Sequence, residues 1–274
     1  MNAIHGTGAE RGKSVSEMTA TLVTGSGSGL GRYLHERLGG IGITRQTPPS
    51  EWDAVKREGA DVIVHCAANS RRAVDRDALV QYLDDNLFLT QRLVSIPHRR
   101  FVYLSSVDVY EKTAAPHCED EIITADRISG LYGMTKFMSE AIVAAQARDP
   151  LILRASGLLG VHSRPNNLIR MIEQQPCTLT LSADSSLNYV LHEDIADFIA
   201  LAVANGVLGT YNAVSSQNVT LQEIVDFLRT PIPFGSYRYD AGSIDNSRIA
   251  ALCPAFARGS LDTVKLFVST RQHT

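Results

Sequence analysis

Paired cysteines are missing from this chain. Cys66, Cys118, Cys177 and Cys253 stand far apart with no C-x-x-C pair, so neither a disulfide framework nor a zinc site of the usual spacing is expected. The eight histidines show no H-x-x-x-H or similar ligand spacing. Basic runs are also lacking. With a formal net charge of −3, nucleic acid and anionic membrane surfaces drop out as main partners. No stretch approaches the roughly 18 apolar residues of a membrane span. Residues 1–17 are polar and glycine-containing, without the apolar centre of a signal peptide, and read as a disordered leader. A reducing cytoplasm fits these absences best.

What the chain does have is apolar material in a regular rhythm. Of its 274 residues, 44% are hydrophobic and 20% charged, enough for one large core with a small lobe. Short β-rich runs at Ala20–Thr24, Ile41–Arg45, Asp61–Ala67, Arg100–Ser106 and Leu151–Ala155 alternate with helical patterns at Gly29–Leu38, Ser50–Glu58, Asp75–Ser95 and Leu131–Ala147. Runs such as DVIVHCAA are continuously apolar, as strands covered on both faces are. The alternation predicts an α/β fold, a doubly wound parallel sheet with helices on both sides. After Gly157 the rhythm loosens. Helices are expected over Arg164–Gln175, His192–Ala204 and Val219–Arg229, an isolated strand over Thr178–Ser182, and an irregular tail from 231 to 274. These readings divide the chain into the leader, a dinucleotide-binding part over 18–156 to which 190–214 returns, and a small substrate lobe from 157–189 and 215–268.

The first strand runs into TGSGSGLG. Gly25 suits a sharp turn, Gly29 lets backbone approach a pyrophosphate, and Gly31 allows close packing of helix on strand, with Ser28 and Leu30 between them. The helix N-terminus then offers free N–H groups to an anion. At the end of the second strand, where an acidic residue would bond the adenosine ribose, stand Thr44 and Arg45. A guanidinium suits a 2′-phosphate, so NADP(H) is expected over NAD(H), which remains the alternative.

Tyr132 and Lys136 are four residues apart, on one face of a helix. A phenol with pKa about 10 becomes an acid–base group once a nearby cation stabilises its phenolate, and Lys136 would do this. Ser106 ends a buried strand, where its hydroxyl would polarise a substrate carbonyl while Tyr132 delivers the proton. Asn86 is a polar amide in a mostly apolar helix. It would hold a water or backbone carbonyl that relays protons to Lys136, or simply bend the helix.

These residues resemble the short-chain dehydrogenase/reductase superfamily, in its extended, NAD-dependent epimerase/dehydratase branch. The similarity runs from Thr21 to about Leu252 through TGSGSGLG, DVIVHCAA, DDNLFLTQRLV, RFVYLSSVDVYE, YGMTK, LILRASGLLG, NYVLHEDIADFI and GTYNAVSSQNVTLQEIVDFL. It implies a Rossmann-like domain, a Ser106–Tyr132–Lys136 triad supported by Asn86, Ala67 beside the cofactor, and a small C-terminal lobe for a small-molecule substrate, possibly a nucleotide-sugar. A homodimer formed through the helices at 75–95 and 131–147 is likewise implied. The chain departs from the pattern at Ser28, where the extended branch keeps a glycine, and at Leu187, where many sugar-nucleotide enzymes carry an arginine.

The resemblance also sorts reactions. Dehydratases of the branch carry an Asp–Glu pair after the triad Ser/Thr; here the pair is Val107–Asp108, and the missing acid disfavours dehydration. In the keto-sugar reductases that also epimerise, proton-exchanging groups fall where Asp108 and His162 stand, although a solvated loop histidine is the competing reading of His162. Arg164, Asn166 and Asn167 are candidate substrate contacts. The expected activity is reduction of a keto group on a nucleotide-sugar or similar carbonyl. The near alternative is a 4-epimerase that keeps NAD bound. A non-catalytic dinucleotide sensor on the same fold is the rival from another class, but such proteins typically lose the Tyr or Lys that this chain retains.

Overall fold

The computed structural model describes residues 20–113, 115–174 and 176–271; the expected leader lies outside them. The apolar runs become β1 (Thr21–Thr24), β2 (Ile41–Ile43), β3 (Ala60–His65), β4 (His98–Ser106) and β5 (Pro150–Ala155). β2 stops before Arg45 because the Thr44 N–H turns to the Thr47 hydroxyl at 2.9 Å instead of a neighbouring strand. Between the strands lie α1 (Gly29–Leu38) and α2 (Pro49–Glu58), whose prolines at 48 and 49 suit a helix start. The expected helix over 75–95 is instead a graded one. A 3₁₀ turn leads to α3 (Leu79–Leu83), a π-helical turn at Asp84–Phe88, and α4 (Leu89–Val94). The cause is legible at Asn86, whose carbonyl accepts from the hydroxyls of Thr90 (3.1 Å) and Ser139 (2.9 Å). Ser139 belongs to α5 (Gly130–Gln146).

The later half corrects several expectations. β6 (Gly157–Leu159) follows β5, and α6 starts at Asn167 (Asn167–Glu173) because the Asn166 side chain accepts from the Ile169 N–H and caps it. Residues 178–182 form no strand; Leu181 makes a lone bridge to Tyr237. Two short strands, β7 (Ser186–Leu187) and β8 (Tyr189–Leu191), lead to α7 (His192–Asn205) and β9 (Gly209–Ala213). β10 (Val219–Thr220) takes the start of the segment read as helix, because Val219 pairs with Leu187. α8 (Leu221–Leu228) then begins with a Thr220–Glu223 capping box. The tail is not irregular: it holds α9 (Ser247–Leu252) and α10 (Ser260–Arg271), which bury Ile249, Val264 and Phe267.

The main sheet is wholly parallel in the order β2-β1-β3-β4-β5-β9, a Rossmann-like arrangement. One apolar layer packs it against α1 and α7, around Leu34, Val64, Leu153 and Phe198. The other packs it against α2, α4 and α5, around Leu22, Ile63, Leu93 and Val143. A further cluster around Leu159, Leu168, Tyr189, Leu221 and Phe267 joins β6, β8, α6, α8 and α10. The chain leaves β1 first to one side and then to the other, so a crevice opens where β1 and β3 end.

Candidate active site

The glycine turn after β1 sits at that crevice. Gly25 has φ +74°, which admits glycine readily, and a side chain there would strike the backbone of Ala67 at the end of β3. The Ala67 N–H in turn donates to Thr24 Oγ1 at 3.3 Å. Gly31 packs against the carbonyl of Gly25. α1 therefore starts directly above the turn. Its N-cap Ser28 makes no side-chain cap, and its first turn carries no acid. Leu30 puts its side chain into the core, 4% exposed, leaving only its backbone at the turn. Uncapped N–H groups, a positive helix end and a glycine surface fit a dinucleotide's diphosphate.

Ser106 ends β4 and caps the 3₁₀ turn Val107–Val109; its Oγ accepts from the Asp108 N–H and donates to Asp108 Oδ2, both at 3.2 Å. α5 packs onto this turn at Gly133, where any β-carbon would overlap the Asp108 carbonyl oxygen. The absence of a side chain at 133 thus lets Tyr132 and Lys136 reach the strand end. Lys136 is 4% exposed, donates to the Leu104 carbonyl at 2.6 Å, and lies 5.8 Å from the centre of the Tyr132 ring. Burial lowers its pKa to about 8.

The cation nearest the Tyr132 ring is one that motif reading passed over. The Arg72 guanidinium lies 4.9 Å above the ring centre and bonds Asp108 Oδ2 at 2.8 Å, while Lys112 Nζ meets Asp108 Oδ1 at 3.1 Å. Burial opposes ionisation of Asp108, but these two cations outweigh it and hold the carboxyl below its ordinary range. The Tyr132 phenol is pushed up to about 12, by burial first and then by the Asp108 charge, with Arg72 opposing. Tyr132 therefore carries its proton at neutral pH. Arg72 and Lys112 are basic residues in loops without periodicity, and only the tertiary fold brings them together.

Ser106, Asp108, Tyr132 and Lys136 thus share one end of the crevice. Asn86 stands behind it, accepting from the Asn69 N–H at 2.8 Å and donating to the Asn69 carbonyl at 3.0 Å. Its amide clamps the loop after β3, and its carbonyl shapes the π-helical turn. Arg45 lies just past β2, paired with Asp85 at 2.7 Å. His162 bonds Glu36 of α1 at 2.6 Å, and no described contact joins it to Asp108. Arg164 reaches Ser28 at 3.3 Å, Asn166 spends its side-chain oxygen on the α6 cap, and Asn167 is the first residue of α6.

A buried network beneath the site also escaped the motif reading. Arg154 of β5 bonds Glu140 of α5 (Nη2–Oε2 2.8 Å) and the Tyr110 hydroxyl (2.8 Å), and Ser105 donates to Glu140. Tyr110 passes the chain on to Asn212 of β9. An arginine inside the apolar run LILRAS was the available signal, since a charge there demands a partner. No group of three or more metal-ligating side chains occurs among the described residues, and no described helix is long and apolar enough to cross a membrane.

Comparison with known proteins agrees with this architecture. No curated protein matches the sequence. Among solved structures, MoeE5 in complex with UDP-glucose and NAD is similar with a TM-score of 0.76 and 21% identity, over 93% of this chain and 99% of that one. A dTDP-4-dehydrorhamnose reductase from Clostridium acetobutylicum gives 0.74 and 18%, over 92% and 99%. UDP-glucuronic acid 4-epimerase from Bacillus cereus, in complex with UDP-glucuronic acid and NAD, gives 0.69 and 17%, over 90% and 99%. At these identities the likeness is one of fold. The sequence model of the NAD dependent epimerase/dehydratase family, however, matches residues 21–213. With its glycine turn, its parallel sheet and a match over most of its length, this chain belongs to the NAD-dependent epimerase/dehydratase family.

Proposed function

We propose that the protein is an NADP(H)-dependent reductase acting on a keto group of a nucleotide-sugar or a similar carbonyl compound. The observation that carries this reading is the convergence of Ser106, Asp108, Tyr132 and Lys136 at the carboxyl end of β4, with Lys136 Nζ 5.8 Å from the Tyr132 ring centre and Arg72 bridging that ring and Asp108. Reduction of a carbonyl begins with an acid that still has its proton. When bound, the nicotinamide supplies the hydride. Tyr132 would give its proton to the carbonyl oxygen, so the ketone takes one hydride, which brings two electrons and one proton, and one further proton from the phenol, and leaves as an alcohol. Ser106 turns its hydroxyl from Asp108 toward the same oxygen and polarises it. Lys136 would lower the cost of the phenolate left behind and would bond the nicotinamide ribose. Ala67, Gly25, Ser28, Gly29, Gly31 and the Leu30 backbone would hold the dinucleotide.

In this reading residues 18–156 with 190–214 belong to the dinucleotide part and 157–189 with 215–268 to the substrate lobe, although Ile249, Cys253 and Phe256 pack into the main-sheet cluster and Leu191 into the other. Asn166, whose amide nitrogen donates to the Arg164 carbonyl at 3.4 Å, and Asn167 at the start of α6 are carried in this reading as substrate contacts. His162, tied to Glu36, has no part in this chemistry. A homodimer would use the two long helical segments, where Val80, Phe88 and Met138 are exposed apolar side chains.

Arg45 is the basis for preferring NADP(H). Its ion pair with Asp85 supports the second reading, a 4-epimerase with tightly held NAD, because that guanidinium already has a partner. Turnover of keto-sugar nucleotides with NADPH and with NADH, beside the cofactor that co-purifies, separates the two. NADPH-driven reduction lost in Tyr132→Phe is the expected result. Firmly bound NAD with no net oxidation would establish the epimerase, and a fully active Tyr132→Phe would end both.

A further inference from the structure

Arg164 lies in the turn between β6 and α6, on the far side of the crevice from the glycine turn. Its guanidinium nevertheless crosses to α1: Nη2 donates to Ser28 Oγ at 3.3 Å, and Nε is 3.5 Å from where a β-carbon on Gly29 would stand. No described carboxylate pairs with it. Its charge reaches the crevice floor as a minor influence: burial raises Tyr132 and lowers Lys136, and Arg164 opposes the first shift and adds to the second.

A helix N-terminus carries about half a positive charge, and the exposed Arg164 guanidinium lies against it. The same turn is tied to α1 by the His162–Glu36 contact at 2.6 Å. Two positive groups facing each other across a glycine surface match an anion with oxygens on both sides. A diphosphate does this, and a planar guanidinium binds it bidentately.

We propose that Arg164 is a ligand of the dinucleotide's diphosphate, supplied by the substrate lobe, so that cofactor binding fastens the two lobes together. The proposal rests on the dinucleotide-binding reading and adds a residue from outside the glycine turn to that site. It also moves Arg164 from the substrate to the cofactor. Asp108, Arg72 and Tyr132 mark the substrate side, whereas Arg164 points at Ser28 and Gly29.

The test is calorimetric binding of ADP-ribose, which has the diphosphate but no nicotinamide, and of UDP, which reports on a nucleotide-sugar site. The proteins are the unaltered chain, Arg164→Gln and Arg164→Lys. A lost charge-assisted hydrogen bond predicts about 10- to 100-fold weaker ADP-ribose binding in Arg164→Gln, a smaller loss in Arg164→Lys, and unchanged UDP binding. Amide exchange in residues 160–166 is expected to slow with ADP-ribose in the unaltered chain and not in Arg164→Gln. Unchanged ADP-ribose affinity in Arg164→Gln overturns the clamp alone. A loss confined to UDP returns Arg164 to the substrate and overturns it too, as does an equal loss of both with a lowered thermal midpoint. If the unaltered chain fails to bind ADP-ribose, the dinucleotide reading itself falls.

Discussion

Replacing Arg154 with methionine isolates what holds α5 in register. Arg154 makes three short contacts with Glu140, at 3.1, 3.2 and 2.8 Å, and one with Tyr110 at 2.8 Å. Both side chains of the pair are more than nine-tenths buried, at 8% and 7% exposure, so solvent does little to screen them. Arg154→Met leaves the Glu140 carboxylate with only the Ser105 hydroxyl, and removing one partner of a buried pair costs about 3–5 kcal/mol. At about 2–4 °C per kcal/mol for chains approaching this size, the thermal midpoint falls by roughly 6–20 °C. The double variant Arg154→Met with Glu140→Leu removes both charges at similar volume and recovers most of the loss. Differential scanning calorimetry of the two variants decides the matter. A single variant within about 1 kcal/mol of the parent, or a double variant less stable than the single, would refute the claim that an unpaired charge is the cause.

Four further expectations follow. Tyr132→Phe lowers kcat by about 10²- to 10⁴-fold, the usual share of an acid catalyst, while dinucleotide affinity measured by fluorescence titration stays within a small factor. Arg45→Ala weakens NADPH by about 10- to 100-fold and leaves NADH unaffected, if the guanidinium holds the 2′-phosphate; equal effects on both would assign Arg45 to its Asp85 pair alone. Asn86→Ala costs about 1–3 kcal/mol in denaturant unfolding, because the Asn69 backbone loses both bonds. Lys136 is depressed to about 8 from 10.5, so the unfolded chain binds more protons between those values and stability rises as pH climbs through that window. Lys136→Met removes this rise, and identical pH–stability curves for the two proteins would count against the buried ammonium.

The candidate triad of Ser106, Tyr132 and Lys136 stood out because each member sits in a local pattern. Ser106 ends a continuous apolar strand, and Tyr132 and Lys136 share a helical spacing that survives in α5. The glycine turn was readable for the same reason, since strand, turn and helix follow one another within a dozen residues. What surrounds the triad was not. Arg72 comes from the loop after β3 and Lys112 from the loop after β4, and neither has a sequence spacing that links it to Asp108. The expectation that Lys136 would stabilise the Tyr132 phenolate took no account of them.

The same contrast separates the two halves of the chain. Strand and helix alternation up to Ala155 is written in apolar runs whose period reflects burial on both faces, so β1 to β5 and the flanking helices came from the sequence alone. Beyond Gly157 the strands outside the main sheet are two or three residues long, too short for any periodicity, and they form where a partner strand is present, as Val219 is paired by Leu187. α10 carries little apolar contrast between its faces and is held by burying Val264 and Phe267 in the cluster around Leu159 and Tyr189. Local chemistry thus determined the cradle, the phenol and its ammonium. Only tertiary packing decided which charges face them, because charge interactions depend on distance through space and burial, and neither is encoded in order along the chain.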